Sequence, residues 1–91
     1  MKVNVCGIPH EVKEVETNLG NDGSLGLITY AKAIIEINKD QSEECKKETL
    51  IHEMVHGMLV HIGRDDLSND EVFVQSLANA IYQGFDIKVM K

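Results

Sequence analysis

Residues 41–62 constrain the fold more than any other stretch of this chain. Leu50, Ile51, Met54, Val55, Met58, Leu59 and Ile62 recur at helical spacing, which predicts one long helix with a broad apolar face. Asp40 with Glu43 three residues on forms a capping-box start, Glu43 and Lys47 form an i,i+4 pair, and Gly63 is a natural stop. On this helix lies His52-Glu53-Met54-Val55-His56, an H-E-x-x-H pattern. Four residues apart on a helix, the two imidazoles share one face and stand about 6 Å apart along the axis. That spacing suits a single zinc ion. Glu53, beside them, is placed to take a proton from a water held by the ion.

A catalytic zinc needs a third protein ligand and an open position. The arrangement H-E-x-x-H-x-x-G-x-x-H would require Gly at 59 and His at 62, where the chain has Leu59 and Ile62. His61 points about 140° away from His56 around the helix. Cys45 shares the face of His52 but lies about 10 Å further up the axis, and reads as a small buried residue. His10, in a strand, reads as an ordinary polar side chain. Carboxylates after the helix are left. Asp65 and Asp66 fall in a polar link over residues 63–67. Ser68 is expected to open a second helix to Gln83, with Ser68-Asn69-Asp70-Glu71 as its capping box and Val74, Leu77, Ala78 and Ile81 as its stripe. Asp70 lies nearer the apolar face, while Glu71 has the longer reach. Glu71 is the preferred third ligand and Asp70 the alternative.

The N-terminal half reads as strands. Residues 2–6 alternate, Gly7-Ile8-Pro9 makes a turn, and residues 10–16 pair back on the first strand. Residues 17–24 are all turn formers and make a loop. Leu25–Tyr30 and Ala33–Asn38 form a hairpin about Ala31-Lys32, and Phe85–Met90 is a short strand or an ordered tail. The fold class expected is α+β. A small mixed or antiparallel sheet packs against the H-E-x-x-H helix and a second helix, in one domain over 1–91.

Composition narrows the partners. In 91 residues the net charge is −6, with nine Lys and Arg spread along the chain, which argues against nucleic acid and leaves no basic face for a membrane. There is no run of about 18 apolar residues, and no signal peptide is expected. Two cysteines without a C-x-x-C pattern fit reduced thiols in the cytoplasm.

Gly26-Leu27-Ile28-Thr29-Tyr30, Ile35-Glu36-Ile37-Asn38, Thr49-Leu50-Ile51-His52-Glu53-Met54-Val55-His56, then Glu71 with Leu77-Ala78-Asn79, taken in order, resemble small zincin-like proteins. These occur in phages and integrative elements and are related to the ImmA/IrrE-type metallopeptidases. The resemblance implies a mixed sheet beside an active-site helix and one zinc ion held by His52, His56 and Glu71. It also implies that Leu25–Tyr30 is an edge strand, to which the backbone of a peptide or protein substrate adds. The activity expected is zinc-dependent peptide hydrolysis, gluzincin-like, with Glu53 as general base. The alternative is a non-catalytic regulatory protein of a mobile element that uses zinc for stability.

Overall fold

The computed structural model describes residues 1–16 and 25–90 and forms a small α+β domain, a mixed sheet with three helices on one side. The loop expected over residues 17–24 lies outside the described residues. The strands are β1 (Lys2–Val5), β2 (Ile8–Val15), β3 (Gly26–Thr29), β4 (Ile34–Asn38) and β5 (Val89–Met90), in the order β3-β4-β2-β1-β5. The helices are α1 (Glu43–His61), the single turn α2 (Asp65–Ser68) and α3 (Glu71–Gly84).

The first hairpin is tighter than expected. Cys6 and Gly7 both take positive φ, 51° and 84°, a two-residue turn of the kind that matches strand twist. β2 therefore begins at Ile8, and Pro9 lies inside it opposite Asn4. In such a hairpin Val5 and Ile8 exchange the hydrogen bonds, so the missing N–H of Pro9 faces away from β1. No partner loses a bond there, because β4 pairs with β2 only from Glu11 onward.

β4 pairs antiparallel with β3 and parallel with β2, so the sheet is mixed. The second hairpin forms as expected, but its connection is longer than Ala31-Lys32. Tyr30–Lys32 make a 3-10 turn closed by Ala33 at φ 52°, and Tyr30 thereby leaves the strand for the rim of a cleft. β3 is the sheet edge, with no strand on its outer side among the described residues. At the other edge the C-terminal segment resolves as a strand, with Val89 opposite Val3.

The helix boundaries move to whichever side chain caps the free N–H groups. Ser42, not Asp40, caps α1, its hydroxyl accepting from Cys45 N–H at 3.2 Å. The expected Glu43–Lys47 pair is absent. Lys46 instead bridges Glu43 and Glu14 of β2, and Lys47 reaches Asp86 beyond α3. Gly63 ends α1 with φ 79°, and Ile62 is exposed rather than part of the core. The expected link contains α2, which absorbs Ser68, so the cap of α3 passes to Asp70, whose carboxylate accepts from Phe73 N–H at 3.1 Å. Val74 and Ala78 are fully buried, but Leu77 is exposed, since α3 presents a narrower face than its apolar content suggests.

α1 is the middle layer. Leu50 and Met54 pack with Val3, Val12, Ile28, Ile35 and Ile37 of the sheet, whereas Ile51, Val55 and Leu59 pack with Val74 and Ala78 of α3. Burial on two sides explains why its apolar arc is so broad. Two glycines set how close α1 and the sheet approach. A Cβ on Gly57 would lie 3.0 Å from Ile28 and Val5, and one on Gly26 would lie 2.6 Å from Thr49 Cγ2 and 3.1 Å from Glu53 Cγ. Gly26→Ala is expected to cost about 1–3 kcal/mol of stability by overpacking and to lift β3 off the helix. Urea unfolding of the variant measures this, and an unchanged midpoint would show that the contact yields freely.

Candidate metal centre

His52 and His56 point from α1 toward α3, which runs antiparallel beside it and brings Glu71 in from its first turn. The Nε2 atoms of the two histidines lie 3.2 Å apart, and Glu71 places one oxygen 3.2 Å from His52 Nε2 and the other 3.1 Å from His56 Nε2. Among the described residues this is the one group of three His, Cys, Asp or Glu donors lying within 4.8 Å of one another. An ion held tetrahedrally at zinc–nitrogen distance separates its donors by about 3.3 Å. The histidine–histidine spacing matches that requirement, and each histidine has a different Glu71 oxygen at a similar distance, so the three side chains can close on a zinc-sized ion.

The alternative ligand is removed by the fold. Asp70 spends its carboxylate on the helix cap, one residue before Glu71 and directed elsewhere. The capping role assigned to Ser68 is corrected too. Ser68 is buried, 5% exposed; its hydroxyl donates to His56 O at 3.5 Å, which leaves its oxygen to accept from Nδ1–H of His56, 3.1 Å away. A proton held on Nδ1 leaves the Nε2 lone pair free for an ion. The signal for Ser68 was present in the chain, since it precedes the Glu71 turn, but a local capping pattern explained it equally well.

Glu53 occupies a different position from the three donors. It lies on the sheet side of the histidines, 8% exposed, with Gly26 of β3 against its side chain. Its carboxylate has no hydrogen-bond partner among the described residues. Burial pushes its pKa from 4.5 up to about 7, reinforced by the Glu71 charge and opposed by His52. Burial likewise lowers the pKa of His56, against the opposing pull of Glu71. A carboxyl poised near neutrality and free of fixed partners suits proton exchange with a water.

That shift has a measurable sign in the metal-free protein. Below pH 4.5 Glu53 is neutral in both folded and unfolded chains and costs nothing. As pH rises from 4.5 to about 7 the unfolded chain releases its proton first, so stability falls, and above 7 both forms are ionised and the loss is complete. Glu53→Gln is expected to remove a loss on the order of 3 kcal/mol between pH 4.5 and pH 8. Urea titrations at the two pH values, with chelator, test this. A variant that loses as much stability as the parent would refute burial as the cause.

These groups line a cleft of about 730 Å³, bounded by β3 and Tyr30 on one side and by Glu48, Asn69 and Gln75 on the other. Burial raises the Tyr30 hydroxyl above its usual range, opposed by a hydrogen bond with Ser68. Residues set aside on spacing stay outside. Cys45 is exposed on the first turn of α1, contrary to the buried role expected, and His61 is exposed beyond the site. His10 is not a surface polar residue. It is fully buried, its Nδ1–H donating to Ile8 O at 2.8 Å and its ring edge-on to His61. No protein-family model, curated protein or solved structure matches this chain. No helix among the described residues is long and apolar enough to cross a membrane.

Proposed function

We propose that this protein is a minimal zincin-like metallopeptidase of the gluzincin type. In this reading it hydrolyses peptide bonds with one zinc ion held by His52, His56 and Glu71. The observation that carries the reading is the pairing of a three-donor triangle with a separate, buried, unpartnered Glu53. A zinc site serving stability alone needs the triangle but has no use for a desolvated carboxylate on its open side, which costs folding energy. Zinc bound there supplies a Lewis acid that polarises a carbonyl and brings the pKa of its water toward neutrality.

The chain's own groups do the rest. Glu53 accepts the proton as water attacks the peptide carbonyl, and passes it to the departing amine. Gly26 keeps β3 close enough to shield Glu53 from bulk water. Ser68 holds the His56 ring in the required tautomer. The outer edge of β3 flanks the cleft, and an extended peptide adding to that edge would run past the donors with its backbone aligned by hydrogen bonds. The resemblance to proteins of phages and integrative elements and to the ImmA/IrrE type belongs to the same proposal, as does a cytoplasmic setting for the two free thiols.

The test is cleavage of an unstructured protein or a peptide library by the purified full chain, with zinc and with chelator. Zinc-dependent cleavage lost on chelation and restored by zinc supports the peptidase. One zinc per chain, with no cleavage of any substrate, favours the zinc-stabilised regulatory protein instead.

A further inference from the structure

Gln75 is half-buried on α3, one helical turn beyond Glu71, and faces His52. Its side-chain oxygen lies 2.9 Å from His52 Nδ1. Its nitrogen lies 2.8 Å from Asn79 Oδ1 and 3.5 Å from Glu48 Oε1. Glu48, when ionised, only accepts hydrogen bonds, so the end of the amide facing it is the NH2 group. The end facing His52 is therefore the carbonyl oxygen, also an acceptor only. His52 Nδ1 must carry the proton.

We propose that Gln75 is a positioning residue, whose amide oxygen fixes His52 in the Nδ1–H tautomer and so directs its Nε2 lone pair at the metal. Glu48 and Asn79 act one step further out, holding the amide against a flip. The inference rests on the zinc reading for its consequence; without metal, Glu71 at 3.2 Å from His52 Nε2 competes for the ring proton, and the Gln75 oxygen is what biases the neutral ring toward Nδ1–H. Each histidine then has its own acceptor from beyond the donor triangle, Ser68 for His56 and Gln75 for His52. Neither is a carboxylate. An amide oxygen fixes the tautomer of His52 with less donation to the ring than an ionised acceptor provides.

The experiment uses the full chain, nitrogen-15 labelled, with Gln75→Met and Gln75→Glu. Met keeps the length and helix preference of Gln but cannot accept the proton; Glu can. Ring nitrogen shifts of the metal-free protein at pH 8 report the tautomer, and competition with a chromophoric chelator reports zinc affinity. The parent and Gln75→Glu are expected to hold His52 as Nδ1–H, while Gln75→Met shifts it toward Nε2–H. Zinc affinity is expected to fall about 10–100-fold in Gln75→Met and to return in Gln75→Glu. An unchanged tautomer in Gln75→Met overturns the proposal, as does equal loss of affinity in both variants. A parent that shows the tautomer but binds no zinc would sink the metal reading and leave the Gln75–His52 contact standing.

Discussion

Glu53→Gln is expected to bind one zinc per chain with the affinity of the parent and to cleave peptide about 10²–10⁴-fold more slowly, the usual contribution of a positioned general base. The two halves of that result come from separate parts of the geometry. The donors are His52, His56 and Glu71, whose closest atoms are 3.1–3.2 Å apart, and Glu53 is not among them. Gln preserves the shape of the side chain against Gly26, so β3 need not move. What it removes is the site that receives a proton. Metal analysis and a cleavage assay on the same preparation give both readings. Parental turnover in the variant would end the assignment of Glu53, and loss of zinc with turnover would mean that its carboxylate belongs to the ligand set.

The second large effect concerns stability. An ion that binds only the folded chain stabilises it by mass action, about 2.7 kcal/mol at a free concentration one hundred times Kd. In a domain of this size that raises the melting temperature by about 10–20 °C. The parent is expected to show this rise on titration with zinc. His56→Ala and Glu71→Ala are expected to lose most of it, because two donors hold the ion far less tightly than three. Scanning calorimetry with and without zinc measures the difference. The same rise in His56→Ala would place the ion elsewhere, and the His10–His61 pair, with ring centroids 6.1 Å apart, would be the first place to look.

The parts of this molecule that could be read from its residues are those decided within a few turns of chain. The apolar repeat from Leu50 to Leu59 identifies α1, and the four-residue spacing of His52 and His56 places both rings on one face. The helix starts were harder, because two acceptors compete at each. Asp40 and Ser42 both precede α1, and Ser68 and Asp70 both precede α3. The winner depends on neighbours, and the one-turn helix α2 decided the second case by taking Ser68 into its own last turn. That shift consumed Asp70 as a cap and left Glu71 free, although helical phase alone placed Asp70 nearer the core.

Contacts between distant segments left no local mark. The parallel pairing of β4 with β2 is imposed by the sheet as a whole, since alternation in Ile34–Asn38 suits either direction. His10 is buried because its strand position lies under the last turn of α1, and a single histidine carries no sign of that. Gln75 likewise carries no local sign of its neighbour across the helix gap.

The polar groups between α1 and α3 form a seam of their own. Glu48, His52 and His56 recur every four residues on one helix, facing Asn79, Gln75 and Glu71 at the same interval on the other. The apolar side of this helix pair, made of Ile51, Val55 and Leu59 against Val74 and Ala78, would still match apolar to apolar groups after one helix slid by a turn, about 5.4 Å. The polar side would not. A slide one way would put the Gln75 amide where the carboxylate belongs and carry Glu71 past His56, and a slide the other way would carry Glu71 past His52 toward Glu48. The seam therefore works as a ratchet tooth, selecting one alignment of two helices from several that hydrophobic packing alone would tolerate.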